Sequence, residues 1–363
     1  MPGRRRFLQA ALAAGILPLA GCRELIDIIG SACPEDPADT GGIDWTPDVL
    51  HPVFYGVQHF TAGQGAPGTL SVLYPSHQTF AAGERTILKS CLDRWPLVLF
   101  LHGQPPCLSD PAAHRKWRRI AIMLASSGYV VAVPRYDAAL PQDGSPLVTF
   151  ALQVIDWVRN SWEHAEWVDK RPEAVAIAGH SYGALLAARV AQARPETGAY
   201  VGLSGPWEEF HSFGIDPLSV LQGIGAPSLF MWSTDAFFEN MDHGGLFDAL
   251  PAPRHAMVHD GQHFDYLAPG DVCDKPRGAC PWIERVAAEL TALFLARYLL
   301  QARSDIDIPV DLVPPPVTLT PKQQFYGGAD FTGLQAIASD RACSAVDLRW
   351  LDGDEAGTRK LGP

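Results

Sequence analysis

From residue 97 onward the chain alternates two rhythms. Short, nearly continuous apolar runs at Leu97–Leu101, Tyr129–Val133, Ala174–Ala178, Tyr200–Leu203 and Ser228–Trp232 are separated by longer stretches with helical spacing of apolar residues. Unbroken apolar runs of this length suit strands buried on both faces of a parallel sheet. The helical patterns fall at 112–127, 147–165 and 182–193. Ala256–His259 reads as a last strand, and Trp282–Leu300 closes the pattern with apolar positions 283, 286, 290, 293, 294 and 298 on one helix face. Ahead of this region, Tyr55–Ala62 and Gly68–Tyr74 flank Gly63-Gln64-Gly65, a hairpin signal. The pattern predicts an α/β fold: an open, mostly parallel central sheet with an antiparallel N-terminal hairpin and helices on both faces. There is no internal repeat.

The two ends of the chain read differently. Arg4-Arg5-Arg6-Phe7-Leu8 precedes the apolar run Ala10–Ala20 and then Gly21-Cys22. A basic start, a short apolar stretch and small residues before a cleavage point make a signal peptide, too short for a permanent span. Arg-Arg-x-Phe-Leu resembles a twin-arginine export signal. Leu19-Ala20-Gly21-Cys22 resembles a bacterial lipobox, which implies acylation of Cys22. The domain reading is therefore a signal peptide at 1–21, a Pro-, Asp- and Gly-rich tether at 22–50, one α/β domain at 51–303 and a C-terminal extension at 304–363 without an assigned role. The expected location is the periplasmic face of a bacterial membrane or the cell surface, held by lipid alone.

Composition narrows the partners. With 28 Lys+Arg against 40 Asp+Glu the formal net charge is −12, which argues against nucleic acid as a ligand. Apolar residues make up 47 %, enough for a large core. The seven cysteines are an odd number. Lipidation of Cys22 leaves Cys33, Cys91, Cys107, Cys273, Cys280 and Cys343, an even set that in an oxidising compartment allows three disulfides. Cys273 with Cys280 is the first choice and Cys33 with Cys343 a second. Cys91 with Cys107 is disfavoured because the two bracket a strand. Buried free thiols remain the alternative.

The chemistry lies in three loops. Ala174–Ala178 leads into Gly179-His180-Ser181-Tyr182-Gly183 and then a helical pattern, so Gly-x-Ser-x-Gly sits between strand and helix. Such a turn is too sharp for side chains at the glycines, and it presents Ser181 Oγ at a helix N-terminus. A serine hydroxyl needs a histidine to take its proton, and the imidazolium needs a carboxylate on its other nitrogen. Ser228–Trp232 delivers Asp235 just beyond its end, and Ala256–His259 is followed by His263 in Gln262-His263-Phe264. Ser181, Asp235 and His263 thus each follow a strand, in that order.

On these motifs, with Phe100-Leu101-His102-Gly103-Gln104 and Ser126-Ser127-Gly128-Tyr129-Val130-Val131-Ala132-Val133-Pro134, residues 55–302 resemble an α/β-hydrolase-fold serine esterase. The pattern is nearest the chlorophyllase, platelet-activating-factor acetylhydrolase and cutinase-like polyester-hydrolase branches. The resemblance implies an acyl-enzyme route, with an oxyanion held by the backbone amides of Tyr182 and Gln104. Pro105 and Pro106 have no N–H, so Gln104 or Gly103 is the donor near that step. No metal or organic cofactor is required. The implied substrate is a small-molecule or polymeric ester. Residues 204–227 leave little room for a large lid, which favours accessible or short-chain esters. A monomer is favoured, with oligomeric state open.

Each assignment has a plainer rival. Asp235 could be a helix N-cap, with Glu239 and Asp242 as reserve acids. His259 competes with His263 as base, but should still lie in its strand, and Gly261 between them disfavours a helical metal pair. His102 reads as fixing its turn by hydrogen bonding, and Asp156 as a solvated or capping residue. Trp207, Phe210 and Phe213 are candidates for the substrate pocket, as is Tyr136, and each could be simple packing. The competing functions are a non-catalytic surface-anchored binding protein of the same fold, or a peptidase or thioesterase using the same triad.

Overall fold

The hairpin comes first in the chain, with β1 (Phe54–Phe60) antiparallel to β2 (Leu70–Ser76), from Phe54 opposite Ser76 to Phe60 opposite Leu70. The computed structural model describes residues 54–63, 65–76, 94–103, 117–136, 145–207, 215–233, 243–251, 253–259, 263–267, 283–295, 298–299, 348–353 and 359–360. The unbroken apolar runs are strands as expected: β3 (Leu97–Leu101), β4 (Val130–Pro134), β5 (Val175–His180), β6 (Ala199–Leu203), β7 (Ser228–Ser233) and β8 (Arg254–His259). Every residue of β3 to β6 is buried, because helices cover both faces of the sheet.

The strand order is β1-β2-β4-β3-β5-β6-β7-β8, with β4, β3, β5, β6, β7 and β8 mutually parallel and β2 antiparallel to β4. Two further strands continue the sheet: β9 (Leu348–Gly353) pairs antiparallel with β8, and β10 (Arg359–Lys360) pairs antiparallel with β9. The hydrophobic pattern does not announce them, since their pairing is set by the open edge of β8 rather than by their own periodicity.

Six helices of the described residues matter to the site: α1 (Arg118–Ser126), α2 (Ser145–Asn160), α3 (Tyr182–Ala193), α4 (Pro217–Gln222), α5 (His243–Ala249) and α6 (Ile283–Leu295). Helix α1 buries Ile120, Ala121, Leu124 and Ala125, one face at helical spacing. It stops at Gly128, whose φ of 95° lets its N–H reach the Ala125 carbonyl at 3.2 Å. Helix α2 ends before the expected 165, because the Trp157 carbonyl takes both the Ser161 and Trp162 amides and the chain tightens into a 3-10 turn at Ala165–Trp167.

Topology then locates a crevice. From β3 the chain crosses through α1 to β4 on one side, whereas β5 lies on the other side of β3. Right-handed crossovers stepping in opposite directions put their helices on opposite faces, so α1 packs with α6, while α2 packs with α3 and α3 with α4. The carboxyl ends of β3 and β5 flank the point where strand order reverses, the usual place for a ligand in such a sheet.

Candidate active site

Leu101 pairs with Gly179, so β3 hands the chain to His102-Gly103 just where β5 enters the Gly179–Gly183 turn. Ser181 sits at φ 56° and ψ −130°, a conformation that costs about 1–3 kcal/mol and survives only where the surroundings impose it. The surroundings are backbone. A Cβ on Gly183 would run into the Leu101 and His102 carbonyls, and one on Gly179 into the backbone of Gly183. The elbow is tied by Ser181 N–H to the Leu203 carbonyl and Ala184 N–H to the Ser181 carbonyl, each at 2.8 Å. The Tyr200 hydroxyl of β6 donates to the Ala184 carbonyl at 3.0 Å and anchors the start of α3.

Ser181 occupies the N-cap position of α3 but its side chain caps nothing. Its Oγ lies 2.8 Å from His263 Nε2 instead. His263 opens a 3-10 turn, His263–Tyr266, four residues beyond the end of β8. It is buried at 1 % exposure, and Ser181 is 9 % exposed. The structure therefore brings together two residues 82 positions apart, nucleophile type and base type, in the geometry of proton transfer. His259 is the last residue of β8, paired with Ser233 of β7.

His102 builds the opposite wall. Its Nδ1 donates to the Gly103 carbonyl at 2.7 Å, and its Nε2 accepts the Tyr136 N–H at 3.4 Å. The Tyr136 hydroxyl donates to the His102 carbonyl, and the two rings stack at 4.1 Å and 13°. Burial holds the His102 pKa down to about 4, against a gain from the Gly103 hydrogen bond, so the ring is neutral. Burial raises the Tyr136 pKa well above its ordinary value, with Tyr182 adding to the shift. Trp207 is fully buried, its ring against Phe230 at 5.2 Å. Asp156 is on the surface, paired with Arg194 at 3.1 Å. The Tyr182 amide is the first of α3, directly after the elbow.

Asp235, Gln104, Phe210, Phe213, Glu239, Asp242, Cys22 and the other six cysteines lie outside the described residues. Among the described residues no group of three or more His, Cys, Asp or Glu could hold a metal ion, and no helix is long and apolar enough to cross a membrane. A cavity of about 370 Å³ lies between the hairpin and α1, lined by Tyr55, Val57, His59, Ser71, Leu73 and Arg118 among others, without Ser181 or His263.

One residue gained a role that spacing does not signal. His180 is only the variable position of Gly-x-Ser-x-Gly in the sequence, yet its ring is wholly buried and its Nε2 donates to the His263 carbonyl at 2.9 Å.

A mostly parallel sheet with this strand order, a strained serine at the β5–α3 turn and a histidine after the last parallel strand define an α/β-hydrolase fold. The family model for chlorophyllase, an α/β-hydrolase-type family, matches residues 60–217, from the end of β1 into α4. That match is with an α/β-hydrolase-type family and agrees with the fold. Comparison with curated proteins finds no match.

Proposed function

We propose that the chain is a serine hydrolase of carboxylic esters working through an acyl-enzyme. The observation that carries this reading is the 2.8 Å hydrogen bond between His263 Nε2 and Ser181 Oγ at the strand-reversal crevice. Ser181 Oγ attacks the ester carbonyl and its proton passes to His263 Nε2. Asp235 steadies the imidazolium through Nδ1. The sequence supports this, since β7 ends at Ser233, level with His259 of β8 and two residues short of Asp235. The developing oxyanion is held by the amides of Tyr182 and Gln104, donors of a kind worth roughly 3–4 kcal/mol of barrier. Collapse expels the alcohol with the proton from His263. Water then repeats the sequence, its proton going to His263 and then to Ser181 as the acid leaves.

The favoured substrates are accessible or short-chain esters. Supporting this, the segment from β6 to β7 includes only the six-residue helix α4 among its described residues. The twin-arginine and lipobox patterns support an exported protein anchored by acylated Cys22. Turnover of p-nitrophenyl acetate and of a panel of longer acyl and polyester substrates tests the reading. Activity on short esters that is lost in Ser181→Ala supports it, and no ester turnover on any substrate refutes it.

A further inference from the structure

We propose that His180 is the positioning residue for His263, clamping the base against the nucleophile from its backbone side. The proposal rests on the serine-esterase reading. Two residues adjacent in sequence grip the two ends of one residue: Ser181 Oγ meets the His263 imidazole at 2.8 Å, and His180 Nε2 meets the His263 carbonyl at 2.9 Å. A carbonyl can only accept, so His180 carries its proton on Nε2 and leaves Nδ1 as a lone pair. Among the described residues that buried Nδ1 has no hydrogen-bond partner. A buried orphan of this kind costs about 1–3 kcal/mol, which an apolar side chain of equal size would avoid. Packing alone therefore does not explain an imidazole here.

The ring is also fixed in place. It lies 4.9 Å from the His263 ring, 5.0 Å from Tyr266 and 5.6 Å from Trp117, and a Cβ on Gly103 would come within 3.3 Å of Nδ1. Burial, and secondarily the neighbouring His263, push its pKa well below the ordinary value, so the donor stays neutral as His263 gains and loses its proton. His263 stands on a four-residue 3-10 turn, a short element with little rigidity of its own. The clamp from β5, the most central part of the sheet, supplies that rigidity.

The test compares His180→Leu, which removes the donor, with His180→Gln, whose amide nitrogen reaches as far as the imidazole Nε2. In the full chain, kcat and KM for p-nitrophenyl acetate are measured with the labelling rate by a fluorophosphonate. That probe forms a P–O bond to Ser181, expels fluoride and passes the serine proton to His263. His180→Leu is expected to lower kcat and the labelling rate on the order of 10²-fold with KM little changed, and His180→Gln to recover most of both. Equal rates in His180→Leu and wild type overturn the proposal. So does an equal loss in both variants that tracks their melting temperatures. If His180→Leu does not fold, His180→Met, also without the donor, takes its place under the same criteria. A wild type that takes no label and turns over no ester overturns the esterase reading itself, an outcome separate from these.

Discussion

Gly103 leaves no room for a side chain beside Ser181: a Cβ there would stand 2.6 Å from Ser181 Cβ and 3.0 Å from the His180 carbonyl. The His102-Gly103 step after β3 is thereby pressed directly onto the Gly179–Gly183 turn, and under the proposed mechanism an oxyanion donor next to that step would lie beside Ser181. Gly103→Ala should push the two apart. Its kcat on p-nitrophenyl acetate is expected to fall on the order of 10²-fold, while circular dichroism and the melting profile keep the native form. Unchanged kcat would place the oxyanion donors elsewhere.

His263 and His259 separate the base from its rival. His259 ends β8, opposite Ser233, whereas His263 meets Ser181 Oγ. His263→Ala is expected to lose ester turnover by 10⁴-fold or more, on the order seen when a triad member is removed. His259→Ala should keep most of it. Loss confined to His259→Ala would contradict the assignment.

Much of this was legible along the chain, for a local reason. Unbroken apolar runs suit strands covered on both faces, as β3 to β6 are, so β3 to β8 appear at or within two residues of where the pattern puts them, and the Gly-x-Ser-x-Gly turn reports its own strain. What the pattern misses depends on partners distant in sequence. β9 exists through β8's open edge, and α2 stops short because Trp157 recruits the following amides. His180 looks like any residue between two fixed ones, and only the fold carries His263, 83 positions later, onto its Nε2.

Stability should fall in acid because of His102. Its folded pKa is about 4 against an ordinary 6.5, so between those values the unfolded chain binds a proton that the folded one does not. Stability is then greatest above pH 6.5 and declines as pH drops toward 4, by about 3 kcal/mol for this group if fully expressed. His180, also lowered by burial, acts in the same direction. Denaturant midpoints measured across this window should drop with acid, and His102→Asn should flatten the slope while losing some stability at neutral pH. A slope unchanged in His102→Asn would count against a neutral buried ring.

Anchoring is tested by Cys22→Ala. In a bacterial host with lipoprotein processing, the wild type is expected in the membrane fraction and labelled by a palmitate analogue, with the variant unlabelled. Equal labelling of both would refute acylation at Cys22.

The most direct measurement traps the covalent intermediate. Protein mixed with excess p-nitrophenyl acetate, quenched in acid within the first turnovers and digested for mass spectrometry, should carry an acetyl group on the peptide containing Ser181, accumulating further in a variant slow to deacylate. The account predicts that adduct on Ser181 in the wild type and its absence in Ser181→Ala. Ester turnover with no acyl group on Ser181, or with the same adduct in Ser181→Ala, would contradict it.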